Sequence, residues 1–192
     1  VVSRYDRVAG ADGRIARVHQ EDFCQALGFP PERKYQEEGG PGLRDCVALL
    51  REWSSIPVLD IRQFLDGLIF NAVIGNADAH GKNYSMLYRG SERRLAPFYD
   101  LVCTLAWPEL SKRLSMKIGG CKQAGALNMG HWKKMAEETA LGWPMVRERV
   151  AELCREIPGK LDGVRQRLVT GNPNADAGIS EVVSDIASHM LH

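Results

Sequence analysis

The middle of the chain carries two stretches of apolar residues at helical spacing. Between residues 42 and 53, apolar side chains recur every three or four positions, and Pro41 suits the start of a helix. Between residues 58 and 72 the apolar stripe is wider, and Gly75 closes it. The pattern predicts two successive helices, the second of them buried in the core.

The last third of the chain is also patterned as helices. From residue 129 onward, apolar residues return at intervals of three or four, with polar and charged residues between them. They predict four helices, built on the apolar residues of segments 132–136, 146–157, 161–168 and 179–190. Nearer the start, residues 21–27 predict a short helix that ends at Gly28.

Short β-type runs appear in two places. Residues 1–5 and 15–18 predict a small hairpin, and residues 84–88 and 94–98 predict a second hairpin around the turn R-G-S-E. Residues 107–128 are rich in Gly, Lys and Ser without a clear period, so we interpret them as a long functional loop. The fold class expected from these patterns is mainly α with a small β-hairpin.

Composition narrows the class of protein. The 192 residues suffice for one compact domain, and 25 Lys and Arg against 24 Asp and Glu give a formal net charge of +1. So small a charge does not require a nucleic-acid or acidic-membrane partner. Five cysteines without a C-x-x-C pair favour buried thiols over a zinc site. The first residues show no signal-peptide pattern, so we expect a cytoplasmic protein without a membrane partner. The chain starts at Val1 rather than Met, in what reads as a strand, so we also expect it to begin inside a larger domain.

Asp78, Asn83 and Asp100 form the most informative pattern in the chain. Asp78 stands five residues before Asn83 in a polar loop after the buried helix, and Asp100 follows the second hairpin. Protein kinases use this order: one carboxylate accepts or orients the proton of the attacking hydroxyl, and oxygen ligands hold Mg²⁺ on the phosphates. The structural alternative is that Asp78 only forms a turn and that Asn83 only bonds its own backbone.

Other polar residues carry weaker signals. His80 and Lys82 lie in the same loop and are candidates to face phosphate, although a lone histidine more often makes a structural hydrogen bond. The loop predicted after Asp100 carries four cations, which would meet a phosphate or a protein substrate, or simply be solvated. They are Lys112, Arg113, Lys117 and Lys122.

The motifs resemble those of one kinase family. The run IGNADAHGKNYSML at residues 74–87, followed by LAPFYD at residues 95–100, closely resembles the catalytic and metal-binding segments of HipA-like serine/threonine kinases. The upstream segments SRYDR, QEDFCQALG and KYQEEGGPG are similar to this family as well, so the resemblance spans roughly residues 1–170. Members of this family are the toxin halves of bacterial toxin–antitoxin pairs.

The resemblance implies a protein-kinase-like fold of which this chain is the helical C-terminal lobe. It assigns residues 1–19 to a hinge strand and hairpin, residues 76–100 to the catalytic loop, hairpin and metal-binding segment, and residues 129–192 to a helical subdomain. The N-terminal lobe, with its glycine-rich loop and strand lysine, is expected to be absent from the chain. The chain alone would then be inactive.

The resemblance also implies the roles of individual residues. Asp78 would be the catalytic base, and Asn83 and Asp100 would bind both Mg²⁺ and the ATP that it accompanies. The further ATP-binding residues that it implies are His80, Gly81, Lys82 and Tyr99 at the phosphates, and Ser3, Arg4 and Tyr5 at the hinge. Ser3 stands where family members usually carry an acidic residue, but a hinge meets adenine mainly through its backbone.

The function implied is phosphorylation of Ser or Thr on a protein, with ATP and Mg²⁺ as cofactors. In this family such activity arrests growth, with targets such as an aminoacyl-tRNA synthetase, and a helix-turn-helix antitoxin neutralises it. The resemblance implies contact with DNA only within the antitoxin complex. Lys133 and Lys134 are candidates for such a contact, but the neighbouring Glu137 and Glu138 favour a solvated helix face. Two other functions stay open: a small-molecule kinase of the aminoglycoside or sugar kinase type, and a non-catalytic module that binds an antitoxin or DNA.

Overall fold

The structure, a computed structural model, describes residues 4–168 and, beyond them, residues 171, 173, 176 and 177. Two compact units divide the chain. The first comprises the residues up to 64 together with residues 80–100, and the second comprises residues 65–79 together with those from 101 onward. No helix in the described part of the chain has the length and apolar character needed to cross a bilayer.

A small hairpin opens the first unit. Its strands are β1 (Arg7–Ala9) and β2 (Ile15–Arg17), which pair antiparallel. The second strand of the hairpin predicted near the start is therefore confirmed, but the first strand is Arg7–Ala9 rather than residues 1–5, of which 1–3 lie outside the described residues. Asp6 explains the shift, because its buried carboxylate accepts hydrogen bonds from Arg4 and Arg7 and so fixes a turn just before β1.

A three-stranded antiparallel sheet forms the centre of the first unit. Its strands are β3 (His19–Asp22), β4 (Ser85–Arg89) and β5 (Glu92–Leu95), with β4 in the middle. The second predicted hairpin is confirmed as β4 and β5, which Gly90 joins in the left-handed conformation, at φ 59°.

The segment predicted as a helix over residues 21–27 is partly wrong. Its first two residues belong to β3, and only Phe23–Ala26 form a helix, α1. The reason is local: the Asp22 carboxylate accepts from the Gln25 N–H at 2.9 Å, and the Gln25 side chain accepts from the Asp22 N–H at 3.0 Å. This reciprocal cap fixes the start of the helix at Phe23.

The two predicted middle helices are present as α2 (Leu43–Trp53) and α3 (Pro57–Val73). The expectation that the whole second helix is buried is wrong for its first turn, where Val58 is 78% exposed and Leu59 is 54% exposed. Burial begins farther along, and α3 passes from the first unit into the second after Phe64.

Aromatic packing builds the core of the first unit. The rings of Phe23, Phe64 and Tyr84 lie 4.8–5.8 Å apart between centroids, in tilted and edge-on arrangements. Phe98 adds a fourth ring, edge-on to Tyr84 at 6.2 Å. Because Tyr84 follows Asn83 directly, this core holds the end of the predicted catalytic loop.

The second unit contains a hairpin that the sequence did not predict. Residues 107–128, interpreted above as a loop, include the strands β6 (Arg113–Ile118) and β7 (Cys121–Gln123). Gly119 and Gly120 make the turn between them, both with positive φ. Across residues 4–168 the fold is therefore helical with three small sheets rather than a single small hairpin.

Two helices complete the described part of the second unit. They are α4 (Met129–Glu138), which confirms the first helix predicted there, and α5 (Trp143–Leu168). The prediction of separate helices at 146–157 and 161–168 is wrong, because α5 runs continuously through Pro158. The helix predicted over residues 179–190 lies outside the described residues.

Candidate active site

Asn83 and Asp100, predicted to share a metal ion, are in direct contact in the first unit. The Asn83 side-chain amide donates from Nδ2 to Oδ2 of Asp100, at 2.5 Å. Its Oδ1 accepts from the backbone N–H of His80 at 2.9 Å, which fixes the orientation of the amide. An amide oxygen has two lone pairs, so Oδ1 keeps one for a cation.

Asp100 has an uncommon backbone conformation. Its φ is 56°, in the left-handed region, which costs a residue other than glycine about 1–2 kcal/mol. Aspartate tolerates this region better than most residues, and such strain is typical of functional sites. Asp100 is exposed and its Oδ2 accepts from Asn83, so the carboxylate lies where a ligand can reach it.

The structural alternative for Asn83 is partly right. Asn83 does bond local backbone, because its Oδ1 accepts from His80 three residues earlier. That bond does not account for its contact with Asp100, which lies 17 residues away in sequence. Asn83 therefore stabilises its own turn and also contacts the carboxylate of Asp100, the other predicted metal ligand.

Tyr99 fixes the turn Gly81–Asn83. Its hydroxyl donates to the Lys82 backbone carbonyl at 2.7 Å and lies 2.6 Å from the Ser85 hydroxyl. A phenol has a single proton, so Ser85 must be the donor to Tyr99. Burial raises the pKa of Tyr99 to about 12, which keeps this donor protonated at neutral pH. The predicted contact of Tyr99 with phosphate stays a prediction.

His80 and Gly81 are packed within the first unit. The His80 ring is 6% exposed and stands edge-on to the Tyr35 ring, with centroids 5.4 Å apart. A Cβ on Gly81 would lie 2.6 Å from Cγ of Pro41 and 2.9 Å from Sγ of Cys24, so only glycine fits there without a shift. The predicted role of these residues at the phosphates, like that of the half-buried Lys82, stays a prediction.

Asp78 belongs to the second unit and is exposed. Its backbone N–H donates to Oδ1 of Asn76 at 3.2 Å, and its own Oδ1 lies 3.4 Å from the Ser115 hydroxyl. An exposed carboxylate held from one side is accessible to an acceptor hydroxyl, as a general base must be.

Two hydroxyl residues that the sequence reasoning missed position the Asp78 loop. The Ala77 N–H donates to Oγ1 of Thr104 at 2.8 Å, and Thr104 in turn donates to the Gly75 carbonyl at 3.1 Å. The Ala77 carbonyl accepts from both the N–H and the hydroxyl of Ser115, at 2.9 and 3.0 Å. Thr104 and Ser115 lie 27 and 38 residues from Ala77, so no local spacing in the sequence indicates them.

The predicted hinge is described only in part. Ser3 lies outside the described residues. The Arg4 guanidinium donates two hydrogen bonds to Asp6, at 2.9 and 2.8 Å, so its side chain supports the turn before β1. These bonds, together with one from Arg7, lower the pKa of Asp6 to about 2. Burial raises the pKa of Tyr5. Contact between this backbone and adenine stays a prediction.

The Asn83–Asp100 pair has the donor chemistry that Mg²⁺ requires. Magnesium prefers hard oxygen ligands and, in nucleotide sites, is commonly held by one or two protein side chains together with phosphates and water. One amide oxygen and one carboxylate fit that requirement, on two side chains that are already in contact through the Asn83 amide nitrogen.

Comparison with known proteins gives consistent matches. The sequence model of the family described as HipA-like C-terminal domain matches residues 1–161. A Sinorhizobium fredii protein named "Putative kinase Y4mE" is 50% identical over 153 residues, which cover 80% of this chain and 36% of that protein. The "Serine/threonine-protein kinase toxin HipA" of Shewanella oneidensis is 37% identical over 129 residues, covering 61% of this chain and 30% of that one.

A solved structure agrees with the sequence matches. HipA in the Shewanella oneidensis complex of HipA, HipB and operator DNA superposes with a TM-score of 0.86 at 25% identity, covering 97% of this chain and 46% of that chain. The chain thus spans about a third of the length of the curated relatives described above.

Proposed function

The chain belongs to the family of HipA-like C-terminal domains, and from that premise we propose that it carries the catalytic and metal-binding residues of a serine/threonine protein kinase. The cofactors would be ATP and Mg²⁺, and the acceptor a Ser or Thr hydroxyl on a protein. The observation that carries the proposal is the contact between Asn83 and Asp100, with Asp100 held at a positive φ.

Each residue has a separate part in the proposed reaction. Bound Mg²⁺-ATP would supply the γ-phosphoryl group. Asn83 and Asp100 would hold the metal ion, which would neutralise charge on the phosphates. Asp78 accepts or orients the proton of the acceptor hydroxyl. Ser115 and Thr104 are positioning residues, because they fix the backbone that carries Asp78.

The biological setting also belongs to the proposal. The HipA of the solved complex is assembled with HipB and operator DNA, and that supports a helix-turn-helix antitoxin as the partner of this protein, with DNA met through the antitoxin. A cytoplasmic protein of the translation machinery, such as an aminoacyl-tRNA synthetase, would be the target. Growth arrest that co-expression of the neighbouring antitoxin gene relieves would support this setting.

The test of the proposed function is Asp78→Asn in the full-length protein. Phosphate incorporation from radiolabelled ATP should fall at least about 100-fold, because a general base contributes that much or more to the rate. ATP affinity and melting temperature should stay unchanged, since Asp78 is exposed and outside the core.

The matched control is Asp12→Asn, which removes an equally exposed carboxylate from the tip of the first hairpin. It should leave the rate unchanged. Phosphate transfer at the parent rate in Asp78→Asn would refute the assignment. Transfer to aminoglycosides or sugars but not to proteins would show a small-molecule kinase, and no transfer to either would favour the non-catalytic module.

A further inference from the structure

The open end of the β6–β7 hairpin is strongly basic. Lys112 and Arg113 lie at the start of β6, Lys122 and Gln123 lie on β7, and Arg113 faces Gln123 in the strand pairing. All four side chains are exposed. We call these four residues the basic hairpin end. Three of them are among the four cations for which the sequence left a phosphate, a protein substrate or solvation open.

The basic hairpin end borders two concave surfaces in the second unit. One is a cavity of about 410 Å³, lined by Arg113, Cys121, Lys122, Gln123 and Ala126. The other is a cavity of about 280 Å³, lined by Leu105, Lys112, Gln123 and Gly125. Gln123 lines both cavities, so the two are neighbours. Each is lined by cationic and apolar groups, which suit a peptide better than a single small ion.

The same strand reaches the proposed base. Ser115, two residues after Arg113 on β6, lies 3.4 Å from the Asp78 carboxylate through its hydroxyl. Two residues of strand span about 7 Å. A polypeptide whose hydroxyl is at Asp78 therefore has its neighbouring residues within reach of Arg113.

The local charge is far from that of the whole chain. Between residues 111 and 123 there are four Lys or Arg and no acidic residue, a net charge of +4, whereas the whole chain carries +1. The positive field is thus concentrated on the segment that holds β6 and β7. Such a field attracts and orients an anionic partner.

We propose that the basic hairpin end selects acceptor polypeptides that carry acidic residues beside the phosphorylated Ser or Thr. This inference rests on the proposed kinase function and specifies its substrate class. An acidic peptide fits better than nucleic acid, because apolar groups such as Leu105 and Ala126 line the depressions and because the strand leads to the proposed base. A duplex would instead favour a long basic stripe without apolar lining.

The first test uses phosphorylation by the full-length protein. Three synthetic peptides share one central Ser and differ only in their flanking residues, which are Glu, Gln or Lys. The Glu peptide should have the highest kcat/KM, and its advantage should shrink as NaCl rises from 50 to 500 mM. In Arg113→Glu combined with Lys122→Glu, the ratio of Glu to Lys peptide should fall about tenfold or more, since two exposed pairs are reversed.

Lys133→Glu is the matched control, because Lys133 is an exposed cation of α4 outside both cavities. It should keep the parent ratio, and thermal melting should show that all the variants are folded. Equal kcat/KM on the three peptides in the parent protein, or a ratio that the double variant keeps, would overturn the inference while leaving the proposed kinase function intact.

The second test measures binding without turnover, in the full-length protein carrying Asp78→Asn. Fluorescence anisotropy of the labelled Glu peptide should show affinity that falls about tenfold in the double variant and is unaffected by Lys133→Glu. If the Glu peptide binds in this way but the parent protein, with Asp78 intact, does not phosphorylate it, the binding surface is supported and the kinase function is refuted. Tighter binding of a 12-base-pair DNA duplex, with the same dependence on Arg113 and Lys122, would overturn the inference in favour of nucleic acid.

Discussion

At the scale of single residues, Asn83 serves two purposes. Its amide oxygen closes a tight turn by accepting from His80, and its nitrogen reaches the carboxylate of Asp100. A side chain with both bonds made is preorganised, so a cation that arrives there does not need to order it first. The positive φ of Asp100 is the second sign of preorganisation, because the chain keeps a strained conformation that aims the carboxylate at Asn83.

The metal assignment predicts different effects for the two ligands. Asn83→Ala and Asp100→Gly should each weaken ATP binding in the presence of Mg²⁺ by about tenfold or more, and should change metal-free ATP binding little. Asp100→Gly should lower the melting temperature less than Asn83→Ala, because glycine adopts a φ of 56° without strain and so offsets the lost bond to Asn83. Asn83→Ala loses its bonds to both His80 and Asp100, at about 1 kcal/mol for each. Calorimetry with and without Mg²⁺, alongside thermal melting, measures both. If the metal dependence of ATP affinity stays at the parent level, neither residue is a ligand.

Asp6 predicts a specific acid sensitivity. Hydrogen bonds from Arg4 and then Arg7 hold its pKa at about 2, below the ordinary value of 3.8. A lowered folded-state pKa stabilises the fold above the unfolded pKa, and the stabilisation is lost as the pH falls from about 4 towards 2. Asp6→Asn should therefore melt at a lower temperature than the parent at pH 7, and the difference should shrink across that window.

Asp12→Asn is the comparison for the acid experiment, because Asp12 is exposed and its carboxylate lies 3.6 Å from the Arg14 guanidinium. Its Oδ1 also accepts from the Arg14 backbone N–H at 3.0 Å, a bond that asparagine keeps. Its melting temperature should track the parent at every pH. An Asp6→Asn difference that stays constant from pH 7 to pH 2 would show that the carboxylate charge at position 6 contributes nothing to stability.

The sequence indicated candidate site residues but not the residues that hold them in place. Asp78, Asn83 and Asp100 stand out because kinase chemistry needs two carboxylates and an amide in that order. Ser115 and Thr104 gave no such signal, because serine and threonine are common in loops and their partner, Ala77, is distant in sequence. The dual role of Asn83 was likewise visible only once Asp100 was located.

At the scale of elements, the β6–β7 hairpin decides the position of Asp78. The sequence did not predict it, since Leu114, Ser115 and Met116 are all buried and the pairing shifts register between Arg113 and Ile118. Such an irregular strand lacks the alternation of apolar and polar residues by which strands are recognised. By contrast, α2 and α4 were predicted correctly because each keeps a one-sided apolar stripe.

Pro158 illustrates the opposite error at this scale. The sequence analysis placed separate helices over segments 146–157 and 161–168, on either side of Pro158. In the structure α5 continues through this proline. A proline removes one backbone donor, which a helix of 26 residues tolerates here.

The turn of the β6–β7 hairpin gives a stability prediction. Gly119 has a φ of 55°, and a Cβ there would lie 1.9 Å from the His131 carbonyl oxygen at the start of α4. Gly90 has a similar φ of 59° but has nothing within 4 Å of its Cβ position. Gly90→Ala should cost about 1 kcal/mol, from conformation alone, and Gly119→Ala about 2 kcal/mol more, from the clash with backbone.

Urea denaturation of the two alanine variants separates these contributions. The loss of unfolding free energy in Gly90→Ala measures the cost of the backbone conformation. The additional loss in Gly119→Ala measures how closely the turn packs against α4. Equal midpoints for the two variants would mean that this turn does not press against α4. A selective fall in the phosphate-transfer rate of Gly119→Ala would further indicate that β6 positions the Asp78 loop.

At the scale of the whole molecule, neither Gly-Gly pair of the chain lies in a phosphate-binding loop among the described residues. Protein-kinase catalysis uses a glycine-rich loop over the phosphates and a strand lysine that pairs with them. The chain has two Gly-Gly pairs, and the structure commits both to packing. A Cβ on Gly40 would lie 2.4 Å from the Arg33 carbonyl, and Gly119 touches α4. Neither pair is placed as a phosphate loop.

The last prediction follows from the packing of both Gly-Gly pairs. Residues 1–192 alone should bind Mg²⁺-ATP weakly at best and should transfer no measurable phosphate to protein, because positioning of the γ-phosphate supplies much of the rate in phosphoryl transfer. A chimera in which this chain replaces the matching segment of the Sinorhizobium fredii relative, 50% identical to it, should transfer phosphate, since the remaining length of that relative would supply the missing parts. The assay compares both proteins at equal concentration with radiolabelled ATP, and the same chimera carrying Asp78→Asn serves as the background. Strong transfer by residues 1–192 alone would show that the nucleotide is bound entirely within this chain, and that the assignment of the phosphate-binding parts to another segment is wrong.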